Sequence, residues 1–296
     1  MKKSILAFVL ILGLLLALSA CAPAGQPPVP VNSVAELGGR IFILYDGAIY
    51  RDDGQGFAPL VTGAEEMTVW DGRIYYTSQK GKRCTLIQHD GTVDYESDIA
   101  YAMRSPQALI RNPDESPWVG CISLGEKGIL RLSIPGGSES VIPIAPRTRS
   151  YCMAEPWFFY ATKTKLFAAQ EENHYAAQEV AQGRDINNLQ ASLDGSALYY
   201  SDEGLLYSME AAVPFPAPRR VSEDASARWV TDWGFAFYVN GGALCRLDIA
   251  SGEKTVLVED GCIEAVGVMR GAVFYTCEQG FWYADSCCGG QQQLIP

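Results

Sequence analysis

Histidine is almost missing from this chain: His89 and His174 are the only two in 296 residues. General acid–base work near neutral pH falls most often to histidine, so a site built on it has at most two candidates. His89 lies beside the Asp90-Gly91 turn and His174 in a polar stretch; turn and surface histidines need no catalytic explanation. A G-x-S-x-G elbow, an H-E-x-x-H helix, a Walker loop and a G-x-G-x-x-G fingerprint are missing as well. Basic charge is scarce, with 23 Lys and Arg against 34 Asp and Glu and a net charge of −11. No basic run interrupts that balance, and an acidic surface repels phosphate backbones. Nucleic acid is excluded as an expected partner. The longest apolar run, Ile5 to Leu18, is shorter than the ~20 residues of a membrane-spanning helix. Long amphipathic helices are also lacking, which excludes a two-lobed α/β solute-binding architecture.

What stands at the N-terminus is a different kind of signal. Met1-Lys2-Lys3 precedes the apolar run, and Leu18-Ser19-Ala20-Cys21 follows it. Two lysines, a short hydrophobic region and small residues before a cut site make a secretory signal. The last four residues resemble the lipobox of bacterial lipoproteins. That resemblance implies cleavage before Cys21, attachment of diacylglycerol to its thiol, and a protein held at the cell membrane facing away from the cytoplasm. Residues 1–20 are then the signal peptide. Residues 21–33 carry Pro23, Pro27, Pro28 and Pro30 and read as an extended tether. Loss of Lys2 and Lys3 with the signal moves the net charge from −11 to −13.

Residues 34–296 remain, enough for one large domain or two small ones. Nine cysteines occur, at 21, 84, 121, 152, 245, 262, 277, 287 and 288. In an exported protein the eight beyond Cys21 permit four disulfides, although a domain of this size does not need them. Cys262 and Cys277 are the candidate pair. They flank the Arg270-Gly271 turn, which sets position 264 opposite 277, so a small register change would bring them within bonding distance.

An aromatic pair recurs through this region. Its copies are Phe42-Ile43, Tyr75-Tyr76, Trp118-Val119, Phe159-Tyr160, Tyr199-Tyr200, Phe237-Tyr238 and Phe274-Tyr275. The second copy sits in "WDGRIYYTS", residues 70 to 78. A second register runs in step, including Ile49-Tyr50, Leu166-Phe167, Leu206-Tyr207 and Leu244-Cys245. Each unit of about 40 residues divides into four short strands separated by turns such as Asp71-Gly72 and Gly241-Gly242. "FAAQEENHYAAQEV", 167 to 180, is the best helical candidate, but its phase reads as a strand, a loop around Glu171 to His174 and an outer strand. Four strands per period of ~40 residues is the signature of a β-propeller. The expected fold is all-β: a seven-bladed β-propeller of four-stranded antiparallel blades, with six or eight blades as the alternative.

Adjacent aromatics follow from that fold. A strand whose two faces are both buried reads as a continuous apolar run, so Tyr75 and Tyr76 should pack toward opposite neighbouring blades. Two immunoglobulin-like sandwiches, the rival, repeat at about 100 residues and keep one face of each sheet wet. The second position is tyrosine in five of the seven pairs and the first in two, which predicts a recurring hydroxyl partner at the second. "DGRIYYTS", "LDGSALYYSDEGLLYSME" and "ALCRLDIASGEKTVLV" resemble the Asp-Gly-x-Ile-Tyr-Tyr … Leu-Tyr-x-x-Asp repeats of bacterial propellers of the TolB-like and YWTD-like groups. No unit holds an intact YWTD, and Thr85, Leu130 and Cys245 stand where that pattern has an aromatic.

Chemistry-bearing patterns are few. "SLDGSALYY", 192 to 200, superficially resembles a sialidase aspartate box, but Ser196 stands where the box needs glycine, leaving an Asp-Gly hairpin. Asp52-Asp53-Gly54 offers too few oxygens for calcium. Cys287-Cys288 has no histidine or CxxC partner nearby. Neither a cofactor nor a metal is expected. Enlarged turns, where binding usually sits on a rigid scaffold, are marked by Arg111 to Pro117 and by Pro214, Pro216 and Pro218. The expected function is a noncatalytic module for a protein or glycan, or a scaffold; the alternative is a glycan- or peptide-directed enzyme at the propeller's channel mouth.

Overall fold

The computed structural model describes residues 34–295 apart from short connections, chiefly between 71 and 138, with the backbone alone given from 79 to 143. The signal peptide, the tether and Cys21 lie outside the described residues, as do Cys262, Cys288, the 111–117 turn and the side chains of Tyr75 and Trp118. The described residues form seven four-stranded antiparallel sheets, each a meander of four consecutive strands. They occupy residues 34–62, 64–96, 103–143, 150–182, 187–225, 229–259 and 265–295. The sixth shows the plan: Trp229–Asp232, Phe235–Asn240, Ala243–Asp248 and Lys254–Glu259. The 167–180 segment gives a strand at Lys165–Ala169, a 3-10 turn at Glu171–Asn173 and an outer strand at Gln178–Gln182.

First strands lie side by side from sheet to sheet, and that of the seventh, Ala265–Met269, meets that of the first, Val34–Leu37. Among the described residues no strand is exchanged between the first and last sheets. Their seam is apolar instead: Ile43 packs with Phe274, Phe281 and Ile295, and the rings of Tyr45 and Phe281 meet edge to face at 5.7 Å. Aromatic contacts of this kind add to area burial, so the seam closes by side-chain packing.

Where both side chains are described, the aromatic pairs straddle their sheets, because neighbouring residues of a strand point to opposite faces. First members face the next sheet in the chain. Phe42 packs with Met67 and Ile74 of the second sheet, Phe159 with Leu189 and Leu198 of the fifth, and Phe237 with Val266 and Val273 of the seventh. Phe274 reaches Ile43 of the first, and Tyr199 packs, partly exposed, against the cluster of the sixth. Second members face the preceding sheet: Tyr76 the first, Tyr200 the fourth, Tyr238 the fifth, Tyr275 the sixth.

The turns divide between two ends. At one end, second and third strands join through tight pairs such as Asp46-Gly47, Glu203-Gly204 and Gly241-Gly242, all at positive φ. The links between sheets close onto these turns, with Gly63 N donating to Gly47 O and Ser226 N to Gly204 O. Packing there is close: a Cβ on Gly242 would stand 2.3 Å from Gly261 O. At the other end lie the first-to-second and third-to-fourth connections, including the long loops 170–177 and 211–218. Ala211 N donates to Ser196 O, Ile249 N to Gly234 O and Ser286 N to Gly271 O, so both kinds of connection share that end. One end is therefore tight and the other elaborated.

Candidate functional site

Rigidity of the ring comes first, since it fixes what the ends present. Between first strands, Leu189 N donates to Ser150 Oγ (2.8 Å), and Gln190 spans from the fifth to the sixth sheet. Its Nε2 donates to Trp229 O (2.5 Å) while its Oε1 accepts from Thr231 N (2.9 Å). Asn188 Nδ2 reaches the same Trp229 carbonyl (2.6 Å). Side-chain amides carry both donor and acceptor, so one residue ties two backbones in register.

At the same seam the Trp229 indole stacks on Tyr238 at 4.1 Å and donates to Gly204 O. The Tyr238 hydroxyl donates to Asp224 (2.6 Å), which also accepts from Lys254 (2.6 Å). Tyr275 donates to Gln291 (3.1 Å), and the Ala145 backbone is a hydrogen-bond partner of Tyr160; a hydroxyl partner at the second position recurs. The Lys254 ammonium, then the Tyr238 hydroxyl, hold the Asp224 carboxyl below its ordinary value. Its folded-state value is depressed, so its stabilisation is present above the ordinary carboxylate range and is lost as pH falls through the folded value. In urea unfolding, the stability difference between wild type and Asp224→Asn should shrink as pH drops below about 4. A difference constant down to about pH 2 would show that the charge contributes nothing.

Burial raises the Cys152 and Cys245 thiols above their ordinary range, which suppresses thiolate reactivity. Cys277 is a buried free thiol and Cys287 an exposed one. Ala265 pairs with Thr276, the register that sets 264 opposite 277. His174 is exposed in the 170–177 loop at φ 52°, and His89 lies in the strand Arg83–His89. Among the described residues no group of three His, Cys, Asp or Glu is placed to hold a metal.

The elaborated end is built from turns closed by aspartates. Asp52 accepts from Gly54 N, Asp53 from Gln55 N, Asp248 from Ala250 N and Ser251 N, and Asp285 from Cys287 N. These are Asx turns, which accounts for the aspartate of the repeat as a turn-former. Asp194 of the box-like stretch is engaged in the same way. It accepts from Ser192 Oγ, Ser196 N and Ser196 Oγ, and these bonds hold its carboxyl down at about 2. A carboxylate so stabilised is a poor proton donor or acceptor near neutral pH.

Two features of this end were hidden or half-hidden in the sequence. The 211–218 loop, marked by its prolines, is anchored by Phe215, whose ring meets Trp157 at 4.9 Å and Phe159 at 5.8 Å on the fourth sheet. It leaves Val213 62% exposed. Trp233, in the two-residue turn of the sixth sheet, is 76% exposed at φ 46°. Sequence alone gave Trp233 no separate signal, because a tryptophan beside a strand reads as core. The signal that could have found it is its place before Gly234, where a tight hairpin wants asparagine, aspartate or glycine.

No family model matches the chain, and no curated protein matches it. Among solved structures it is similar to the tricorn protease, at 9% identity over 91% of this chain and 35% of that one, with a TM-score of 0.64. PorZ, an essential bacterial surface component of the type-IX secretion system of Porphyromonas gingivalis, gives 11% identity, 92% and 39% coverage and a TM-score of 0.65. The β-propeller domain of Cps50 (Swd1) of Myceliophteria thermophila gives 12% identity, 86% and 96% coverage and a TM-score of 0.59. The chain spans little more than a third of the tricorn protease and PorZ chains. The likeness is one of fold: an all-β propeller of four-stranded sheets.

Proposed function

We propose that this chain is a lipid-anchored, extracytoplasmic, seven-bladed β-propeller that serves as a noncatalytic binding or scaffold module for a protein or glycan. The observation that carries this reading is the division between its two ends. The first strand enters at Val34, and its Leu37 end pairs with Arg40 across the first turn of the elaborated end. Val34 therefore starts at the tight end. A tether of residues 21–33 attached through Cys21 joins the domain there, at ~3.1 Å per residue where it is polyproline-like. The elaborated end, with its long loops and exposed Trp233, then faces away from the membrane. Rigid scaffolds with loops gathered at one end are how binding modules are built, and Asp52, Asp53, Asp194, Asp248 and Asp285 of that end are engaged in turns.

The test is a pull-down from envelope extracts with residues 34–296 immobilised through either terminus. Attachment at residue 34 should capture a partner as the tether would present it. Turnover of fluorogenic glycoside or peptide substrates by the purified domain, with no saturable capture, would overturn the reading in favour of an enzyme.

A further inference from the structure

Four two-residue turns in the described residues have both φ angles positive: Asp46-Gly47, Glu203-Gly204, Trp233-Gly234 and Gly241-Gly242. Asparagine, aspartate and glycine suit the first position; an indole there carries backbone strain. Burial does not offset that strain, because Trp233 is 76% exposed. Neither turn chemistry nor core packing explains this tryptophan. Val213, on the neighbouring fifth sheet, is 62% exposed at the same end. The foot of its loop is tied to the tryptophan turn: Arg219 Nη2 donates to Ile249 O (3.1 Å), and Ile249 N donates to Gly234 O (3.0 Å).

The charge around them is mostly negative. Asp194, Glu210, Asp232, Asp248 and Glu253 lie on the elaborated ends of these two sheets. The nearby cations are engaged: Arg220 with Glu223 at 2.7 Å, Lys254 with Asp224 at 2.6 Å, and Arg219 with a backbone carbonyl. An exposed indole on an end of net negative charge matches one chemistry well. A lysine or arginine can lie over the indole face while its neighbours meet the acids. A second copy of this chain would bring acid against acid, and a neutral sugar, though its hydroxyls could donate to the carboxylates, would leave their charge unmatched.

We infer that the Trp233 turn is the anchor of a docking surface for a basic, lysine- or arginine-rich protein segment, with Val213 as a flanking apolar contact. This rests on the reading of the chain as a binding module and names the partner's chemistry.

The test uses the full chain in detergent micelles and three fluorescent probes: a dodecapeptide of alternating Arg, Lys and Leu, its Glu and Asp counterpart, and cellohexaose. Anisotropy titration should show saturable binding of the basic peptide that weakens with salt. Trp233→Asn should weaken it about tenfold or more, as for a central aromatic anchor, with the melting temperature unchanged or raised because asparagine suits the turn. Glu253→Gln and Val213→Ser should each weaken it less. Equal affinity for wild type and Trp233→Asn overturns the inference, as does a preference for the acidic peptide or the sugar, or no saturable binding of the basic peptide. If Trp233→Asn fails to fold, Val213→Ser and Glu253→Gln decide it, and no weakening in either overturns it. A partner captured equally by wild type and Trp233→Asn leaves the binding module standing and removes this surface from it.

Discussion

Phe237→Ala and Tyr238→Ala are each expected to lower the unfolding free energy by about 3–5 kcal/mol, as truncation of buried aromatics does. On a sheet with one wet face that is impossible for adjacent residues, since one of the two side chains would stand in water and its loss would cost ~0.5 kcal/mol or less. Here Phe237 is 2% and Tyr238 1% exposed. The first fills the seam with the seventh sheet and the second the seam with the fifth. Tyr238→Phe should cost ~1 kcal/mol, the net worth of a hydrogen bond, because Asp224 loses one of its donors and keeps Lys254. Tyr76, buried against the first sheet, should behave like Tyr238, and Tyr76→Phe should cost more than Tyr75→Phe. Denaturant unfolding of these variants decides the matter. A near-neutral Phe237→Ala or Tyr238→Ala would contradict burial on both faces, and the propeller with it.

Cys21→Ser carries an effect of another kind, all or nothing. Two acyl chains hold a protein on a bilayer stably, whereas one is marginal, and a serine hydroxyl offers no thiol for the first attachment. Cells making the variant should yield protein without lipid label, either in the soluble fraction or still carrying residues 1–20. Metabolic labelling with a fatty-acid analogue, followed by fractionation, reads both. Undiminished label on the variant would sink the lipid anchor, and with it the expectation that the elaborated end faces away from the membrane.

Amino-acid order alone determined the repeat of the fold. Doubled aromatics at intervals near 40 residues require strands buried on both faces, and Asp-Gly and Gly-Gly pairs between them require tight hairpins. Those are local facts, set by side-chain alternation and by which residues tolerate positive φ. The tertiary structure decided the rest. Which member of each pair faces the next sheet depends on the direction in which the sheets follow one another around the ring, and no single strand carries that. Contact between the first and last sheets through Ile43, Phe274 and Phe281 joins residues more than 200 positions apart. The aspartate of Leu-Tyr-x-x-Asp showed its turn-forming role only once its acceptor bonds were visible. Trp233 could have been core or surface by type; its place in a two-residue turn at the end of a packed sheet, where no neighbour reaches over it, put it in solvent.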